Sequence, residues 1–214
     1  VIGSPPCTFF SRLQELNKHM YRDNAAWMRK FEENIAQAKR YVRFCIQIYE
    51  HQKKNGRYFL HEHPWLATSW CLPEMSRLEA QDGVQRVRTD MCQFGMMSRT
   101  AGVGSTLGHV LKPTGFLTNS KHIARELGRR CPRDHQHVPL VGGRAAAAAI
   151  YSHDLCCAIC RGLAAQLKED KGCRIDSPLL DARGLKSLSS LCCEATTPAL
   201  NDQFRETEST SVGQ

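Results

Sequence analysis

The sequence predicts an α/β fold, and three observations lead to that prediction. Hydrophobic residues make up 42% of the 214 positions, which is enough for one domain with a packed core. A long amphipathic helix is predicted over residues 24–54, and short apolar segments typical of strands lie on either side of it. The order strand, loop, helix, strand is typical of a parallel α/β unit.

The first residues, Val1-Ile2-Gly3, are interpreted as the end of a strand. Pro5 and Pro6 predict a loop after it, because proline has no N–H for strand pairing. The chain has no initiator methionine, so we expect it to be a piece of a longer chain.

The long helix is predicted from apolar residues at alternating spacings of three and four. They are Met28, Phe31, Ile35, Ala38, Val42, Cys45 and Tyr49. Asn55-Gly56 is a typical helix end. The same repeat would also suit a coiled coil, but a surface helix packed on a sheet fits a globular chain better.

A second strand is predicted over residues 57–61, and Glu62-His63-Pro64-Trp65 would leave it at its C-terminal end. Ligands bind at that edge in open α/β sheets. Helices are also predicted over 72–81, 120–130 (capped by Ser120) and 151–168, strands over 84–91 and 115–117, a mobile loop over 98–108, and a disordered stretch over 196–214.

Charge and cysteine content narrow the class of partner and the compartment. The formal net charge is +8 and the pI is about 9.0, which favours a polyanionic partner such as nucleic acid. Eleven cysteines, without the spacing of a disulfide framework or a visible signal peptide, indicate reduced thiols and an intracellular location such as the nucleus. The longest apolar run, residues 145–151, is too short to span a membrane, so no membrane partner is expected.

The segment Pro5-Pro6-Cys7-Thr8-Phe9-Phe10-Ser11 is the strongest functional signal. A cysteine on a stiff loop beyond a strand end can act as a nucleophile if its surroundings lower its pKa from about 8.5. The alternative is a turn with a buried cysteine. The segment resembles the nucleophile motif of the cytosine-5 methyltransferases, which reads Pro-Pro-Cys-x-x-Phe-Ser.

A second segment supports the resemblance. In that family a strand ends in Glu-Asn-Val roughly fifty residues after the nucleophile, and here Glu62-His63-Pro64 occupies that place. Two consecutive parallel strands would bring Cys7 and Glu62 together at one sheet edge. His63 would then donate a hydrogen bond that orients Glu62. The alternative for Glu62 is a solvated carboxylate at a strand end.

The resemblance implies a division of roles in DNA cytosine methylation. Cys7 would attack C6 of a cytosine flipped out of the helix, and Glu62 would bind the N3 and amino edge of the base. Pro6, Ser11 and His63 would line the same substrate site. The activated C5 would take a methyl group from S-adenosylmethionine.

The chain departs from the family downstream of Glu62. The family motif Gln-x-Arg-x-Arg is replaced by Gln85-Arg86-Val87-Arg88, which has the right composition in the wrong register. Residues 90–95, 112–114 and 118–119 are similar to a variant block of phage and mobile-element relatives. In that variant Arg88 or Lys112 would contact phosphate or base. The alternative is that both are ordinary solvated basic residues.

The family binds S-adenosylmethionine through a glycine-rich loop that precedes the nucleophile motif, so we expect the donor site to be largely missing from this chain. Gly102-Val103-Gly104 does not replace it, because no strand-turn-helix context surrounds it. The predicted fold is thus a truncated Rossmann-like S-adenosylmethionine-dependent methyltransferase sheet with flanking helices. The catalytic half would span 1–169 and a poorly structured tail 170–214. Activity would need an upstream segment as partner.

Two other hypotheses stay open. One is a non-catalytic nucleic-acid-binding relic module of a mobile-element polyprotein. The other is a zinc-stabilised interaction domain, because Cys131, His135 and His137 have ligand types suited to zinc; His122 and Cys92 are candidates for a fourth ligand, although no spacing demands either. The bland alternative is a polar loop with an incidental cysteine. Cys157-x-x-Cys160 falls inside a predicted helix and has no second pair.

Overall fold

The computed structural model describes residues 1–100, 105–141 and 147–173, and these form a mixed α/β structure, as predicted. The helices are α1 (Leu13–Met20), α2 (Ala25–Lys54), α3 (Pro73–Glu79), α4 (Lys121–Leu127) and α5 (His153–Cys173). The strands are β1 (Ile2–Gly3), β2 (Leu60–Pro64), β3 (Gln85–Asp90), β4 (Met97–Arg99), β5 (Leu107–His109) and β6 (Pro113–Thr118).

The main sheet has the strand order β1-β2-β6-β3. β1 and β2 are parallel, with Ile2 opposite Leu60 and Gly3 opposite His61, which confirms the predicted parallel pair. β6 runs antiparallel to both of its neighbours, so the sheet is mixed. The polypeptide that leaves β1 and the residues at the end of β2 therefore lie at the same edge.

Helix α2 connects the two parallel strands, and its predicted bounds are confirmed to within a residue. Asn24 caps it, since its side-chain oxygen accepts a hydrogen bond from the N–H of Trp27 at 3.0 Å. Gly56, with φ of 64°, follows its end. The buried face packs against the sheet and consists of Ala38, Val42, Ile46 and Tyr49.

Strand β2 begins three residues later than predicted, and the reason is Asn119. Its side-chain oxygen accepts from the N–H of Phe59 and its amide donates to the carbonyl of Arg57, each at 2.9 Å. These bonds satisfy the backbone before Leu60 without strand pairing. Glu62 and His63 consequently lie inside β2 rather than beyond its end, which corrects the sequence interpretation.

The remaining elements agree with the predictions except in two places. α1 was not predicted, and none of its residues is buried. The predicted mobile loop 98–108 is wrong at both ends, because β4 and β5 pair there as an antiparallel two-stranded sheet; residues 101–104, with Gly102 and Gly104, lie outside the described part. Ser120 caps α4 as predicted, accepting from the N–H of Ile123.

Helix α5 ends at Cys173, inside the predicted tail 170–214. The rest of that tail lies outside the described residues. The stretch 196–214, predicted to be disordered, lies outside the described residues. Among the described helices, none has the length and apolar character needed to cross a membrane.

Candidate functional site

The Pro-Pro-Cys loop follows β1 directly and is held close to β2. Cys7 precedes a short 3-10 turn over Thr8–Phe10, and its carbonyl accepts the N–H of Phe10 at 3.0 Å. Phe10 is buried in the core, while Cys7 itself is half-buried. The aromatic side chain thus anchors the loop and leaves the thiol partly accessible.

The side chain of His63 in β2 holds the Pro-Pro-Cys loop through a hydrogen bond to its backbone. Its Nε2–H donates to the carbonyl of Pro5 at 2.9 Å, and its Nδ1 therefore accepts from the hydroxyl of Ser69 at 2.5 Å. Burial lowers the pKa of His63, although the Pro5 carbonyl and Glu62 oppose the shift, so the ring is neutral at pH 7. These two bonds replace the predicted hydrogen bond from His63 to Glu62.

Glu62 is a buried carboxylate, only 6% exposed, so it is not the solvated group that was the alternative. The hydroxyl of Ser4 donates to its Oε2 at 2.5 Å, which joins β2 to the loop that carries Cys7. The phenol of Tyr151 is affected by this pair. Burial contributes most to raising its pKa, and the charge of nearby Glu62 contributes next. Ser4 and Tyr151 were missed from the sequence, because neither belongs to the recognised motif.

The thiol of Cys7 is affected by both of its charged neighbours. Burial is the largest cause that raises the pKa of the Cys7 thiol, and the Glu62 carboxylate is the second. The Lys112 ammonium lowers this pKa. The net result is a pKa above the ordinary value, so the thiol is protonated at neutral pH in this state. A reaction that uses the thiolate must therefore gain rate as the pH rises.

Alkylation of Cys7 by iodoacetamide at pH 8 should change in opposite directions when its two charged neighbours are neutralised. Glu62→Gln removes a carboxylate that raises the pKa, so the rate should rise several-fold. Lys112→Gln removes the lowering charge, so the rate should fall by a similar factor; each pKa unit corresponds to about tenfold in thiolate below the pKa. Mass mapping of the Cys7 peptide gives the rate.

Exposed Cys71 supplies the internal reference for this comparison, because it lies outside the Pro-Pro-Cys loop. Its alkylation rate should be the same in all three proteins. Equal rates at Cys7 in both variants would contradict the electrostatic coupling described above.

The predicted nucleic-acid contacts are already engaged within the chain. The Lys112 ammonium donates to the carbonyl of Ala148 at 2.8 Å, and Arg88 pairs with Asp90 at 3.0 Å. Arg86, from the same strand as Arg88, lies 5.1 and 4.8 Å from the ring centroids of Trp65 and Trp70 and pairs with Glu79 at 3.1 Å. Arg88 and Lys112 are therefore not the ordinary solvated basic residues of the alternative hypothesis.

Pro6 and Ser11 occupy different positions in the loop. Pro6 is exposed next to Cys7. The hydroxyl of Ser11 accepts from the N–H of Leu13 at 3.3 Å, at the start of α1. Ser11 thus helps to order the turn after the nucleophile loop.

His61 is a second buried histidine that the sequence analysis missed. Its Nδ1 lies 3.0 Å from the hydroxyl of Tyr49, and Gly3 faces the same tyrosine at such close range that any Cβ would overlap its hydroxyl. Only glycine fits at this point of β1. The sequence signal for a buried His61 was its position two residues before His63, a spacing that places both side chains on the same face of a strand.

A separate cluster of possible metal ligands lies beyond β3. Cys92, Cys131, His135 and His137 each offer a ligand atom, and these atoms all lie within 4.8 Å of one another. The structure thus brings together the three predicted residues with Cys92. His122, the other candidate, instead pairs with Glu169 at 2.6 Å. Cys157 and Cys160 lie in α5, as predicted.

Comparisons of the chain with protein-family models, with curated proteins and with solved structures give no match.

Proposed function

We propose that this chain is the base-binding and nucleophilic half of a DNA cytosine-5 methyltransferase-like domain with a truncated Rossmann-like sheet. The observation that carries the proposal is the buried Glu62 carboxylate joined through Ser4 to the loop of Cys7. A thiol in the loop after β1 and a carboxyl group on the neighbouring parallel strand β2 supply the two functions that addition to a cytosine ring requires. An intracellular location such as the nucleus, where the DNA is, belongs to the same proposal.

The covalent step has a simple balance. The Cys7 thiol gives up its proton and its sulfur adds to C6 of the cytosine, so that an Sγ–C6 bond forms. The C5–C6 π pair moves into a C4–C5 double bond, the C4–N3 π pair moves onto N3, and N3 takes up the proton that the thiol released. Glu62, close enough to Ser4 to be held in one orientation, hydrogen-bonds the N3 and amino edge and stabilises the protonated ring. The target base must leave the stack to reach these groups.

The residues of this chain do not fit a binding site for S-adenosylmethionine. Among the described residues, β1 leads into a proline loop and a 3-10 turn rather than a glycine-rich turn that opens a helix. The donor would have to be held by polypeptide outside this chain, which would act as its partner. No step of the methyl transfer is therefore assigned to residues of the chain itself.

The alternative function is a non-catalytic nucleic-acid-binding relic of a mobile-element polyprotein. One observation favours it, namely that burial and Glu62 raise the pKa of Cys7. Active-site thiols usually have the opposite shift. In the catalytic proposal, the binding of DNA must then change the surroundings of Cys7 or the proton must pass to another group.

Trapping on duplex DNA that contains 5-fluorocytosine distinguishes the two functions. With S-adenosylmethionine present, a form of the protein extended N-terminally beyond Val1 should give a covalent protein–DNA adduct, and Cys7→Ala should give none. Glu62→Gln should slow adduct formation by at least about a hundredfold, which is the scale of a lost acid–base group. Denaturing gel electrophoresis measures the adduct.

Cys71→Ala is the matched control, because it removes another accessible thiol and should leave the adduct unchanged. An adduct that persists in Cys7→Ala would assign the nucleophile elsewhere. The lack of an adduct in every form, with DNA binding retained, would overturn the catalytic proposal in favour of the relic.

A further inference from the structure

Four ligand atoms of the types that zinc prefers converge after β3 and α4. The Sγ of Cys131 lies 3.6 Å from Nε2 of His135 and 3.4 Å from Nε2 of His137. The thiol of Cys92 completes the group within the common distance of 4.8 Å. Two thiols and two imidazoles match a standard set of structural zinc ligands.

The spacing matches a tetrahedral ion. Zn–S bonds of about 2.3 Å and Zn–N bonds of about 2.0–2.1 Å place ligand sulfur and nitrogen atoms roughly 3.6 Å apart. The two distances from Cys131 agree with that edge length. A disulfide between the two cysteines would explain neither histidine, whereas one ion accounts for all four side chains.

The ligands come from two separate segments of the chain, the turn that holds Cys92 and residues 131–137, and hydrogen bonds hold both in place. Cys92 lies in the 3-10 turn over Met91–Phe94, directly after β3. The Asp90 carboxylate at the end of that strand accepts from the N–H of Cys131 at 2.9 Å, which holds both cysteines near one point. The backbone of His137 forms a parallel β-bridge with that of His109 in β5. In this bridge the carbonyl of His109 accepts a hydrogen bond from the N–H of Val138 at 2.7 Å.

The groups around the ligands are those that orient metal-binding side chains. Asp134 accepts a hydrogen bond from Nδ1 of His135 at 2.7 Å, which leaves Nε2 as the lone-pair atom that faces the cluster. The N–H of Arg133 points at the Sγ of Cys131 at 3.3 Å and would stabilise a thiolate. Arg133 has a φ of 64°, so the chain turns sharply here to bring that amide to the sulfur.

We propose that Cys92, Cys131, His135 and His137 bind one structural Zn²⁺. Four protein ligands leave no open position, so the ion stabilises the fold and does not carry out a reaction. It would tie the segment that follows α4 to the end of β3. The site is independent of the Cys7 chemistry and stands whether or not the chain acts on DNA.

Elemental analysis of the purified 214-residue chain tests the proposal directly. We expect one zinc per chain after dialysis against metal-free buffer, and a loss of most of it in Cys92→Ser and Cys131→Ser. His122→Gln is the matched control and should keep the ion, because its side chain pairs with Glu169. Removal of zinc by a chelator should lower the melting temperature by more than roughly 5 °C.

Substitution of Co²⁺ gives a readout that does not depend on variants that fold poorly. Tetrahedral Co²⁺ with two thiolates produces visible absorption bands and a sulfur-to-metal charge-transfer band, and we expect both in the unaltered chain. Metal below a tenth of an equivalent in a folded chain, or recovery of Cys92 and Cys131 as one disulfide-linked peptide, would overturn the proposal.

Discussion

Replacement of Gly162 by alanine should destabilise the chain by about 2 kcal/mol. Gly162 lies on the face of α5 that packs against α4. A Cβ built there would lie 2.7 Å from Cα and 3.0 Å from N of Ile123, and 3.1 Å from the carbonyl oxygen of His122. All three are backbone atoms, so the two helices must move apart to admit one methyl group.

The expected sign is opposite to that of intrinsic helix propensity. In an open helix position, glycine to alanine gains up to about 1 kcal/mol. Gly172 in the same helix is such a position, because nothing lies within 4 Å of its Cβ site. Gly172→Ala should therefore leave stability unchanged or raise it slightly, and it serves as the control.

Urea unfolding of the two variants beside the unaltered chain measures both free energies of unfolding. The difference between the variants is the informative quantity, since it cancels effects common to any glycine replacement. If both variants proved equally stable, the close approach of α4 and α5 would not exist in solution.

Acidification from pH 7.5 to 5.5 should lower the free energy of unfolding by about 2 kcal/mol through His61 and His63. Both side chains are fully buried in β2. Burial lowers the pKa of His61 well below its usual value, and the neighbouring His63 adds to the shift. Burial also lowers the pKa of His63, to a smaller extent.

The sign follows from proton binding in the two states. Below the ordinary histidine pKa of about 6.5, the unfolded chain binds protons at both positions while the folded chain does not. The stabilisation is therefore fully present above about pH 6.5 and is lost as the pH falls toward the lowered folded-state values. A fully shifted histidine accounts for about 1.4 kcal/mol over these two pH units, and His63 for somewhat less.

Urea unfolding at pH 7.5, 6.5 and 5.5 measures this dependence. His61→Gln should remove roughly half or more of it, and exposed His51 provides the control variant His51→Gln, which should leave it intact. A dependence on pH that is the same in both variants would show that other groups are responsible.

The sequence predicted the elements whose signal is local. The apolar stripe from Met28 to Tyr49 predicts α2, and Ser120 marks the start of α4. α1 was missed although its Leu13, Leu16 and Met20 recur at spacings of three and four; all three are exposed in the structure. The direction of β6 depends on its pairing with β2 and β3, which no local pattern encodes.

The candidate site was predictable only where residues form a motif. Cys7 and Glu62 were singled out through the resemblance of their segments to family motifs, and the strand-helix-strand order predicted that both would lie at one edge of the sheet. The hydrogen bonds from Ser4 to Glu62 and from His63 to the Pro5 carbonyl join segments that are far apart in the chain, so the sequence could not predict them. For the same reason, Cys92 could be joined to Cys131 and its histidines only in three dimensions.

Arg86 and Arg88 each form an ion pair within the chain, with Glu79 and Asp90 respectively, and these pairs affect how many counterions DNA binding would release. Affinity for duplex DNA falls with salt roughly in proportion to the number of phosphates that a protein neutralises. Arg86 pairs with Glu79 and Arg88 pairs with the buried Asp90, so both charges are partly compensated before any phosphate approaches. In the DNA binding proposed above, the release of ions should therefore be smaller than the net charge of +8 suggests, and recognition would depend more on the extruded base than on the backbone.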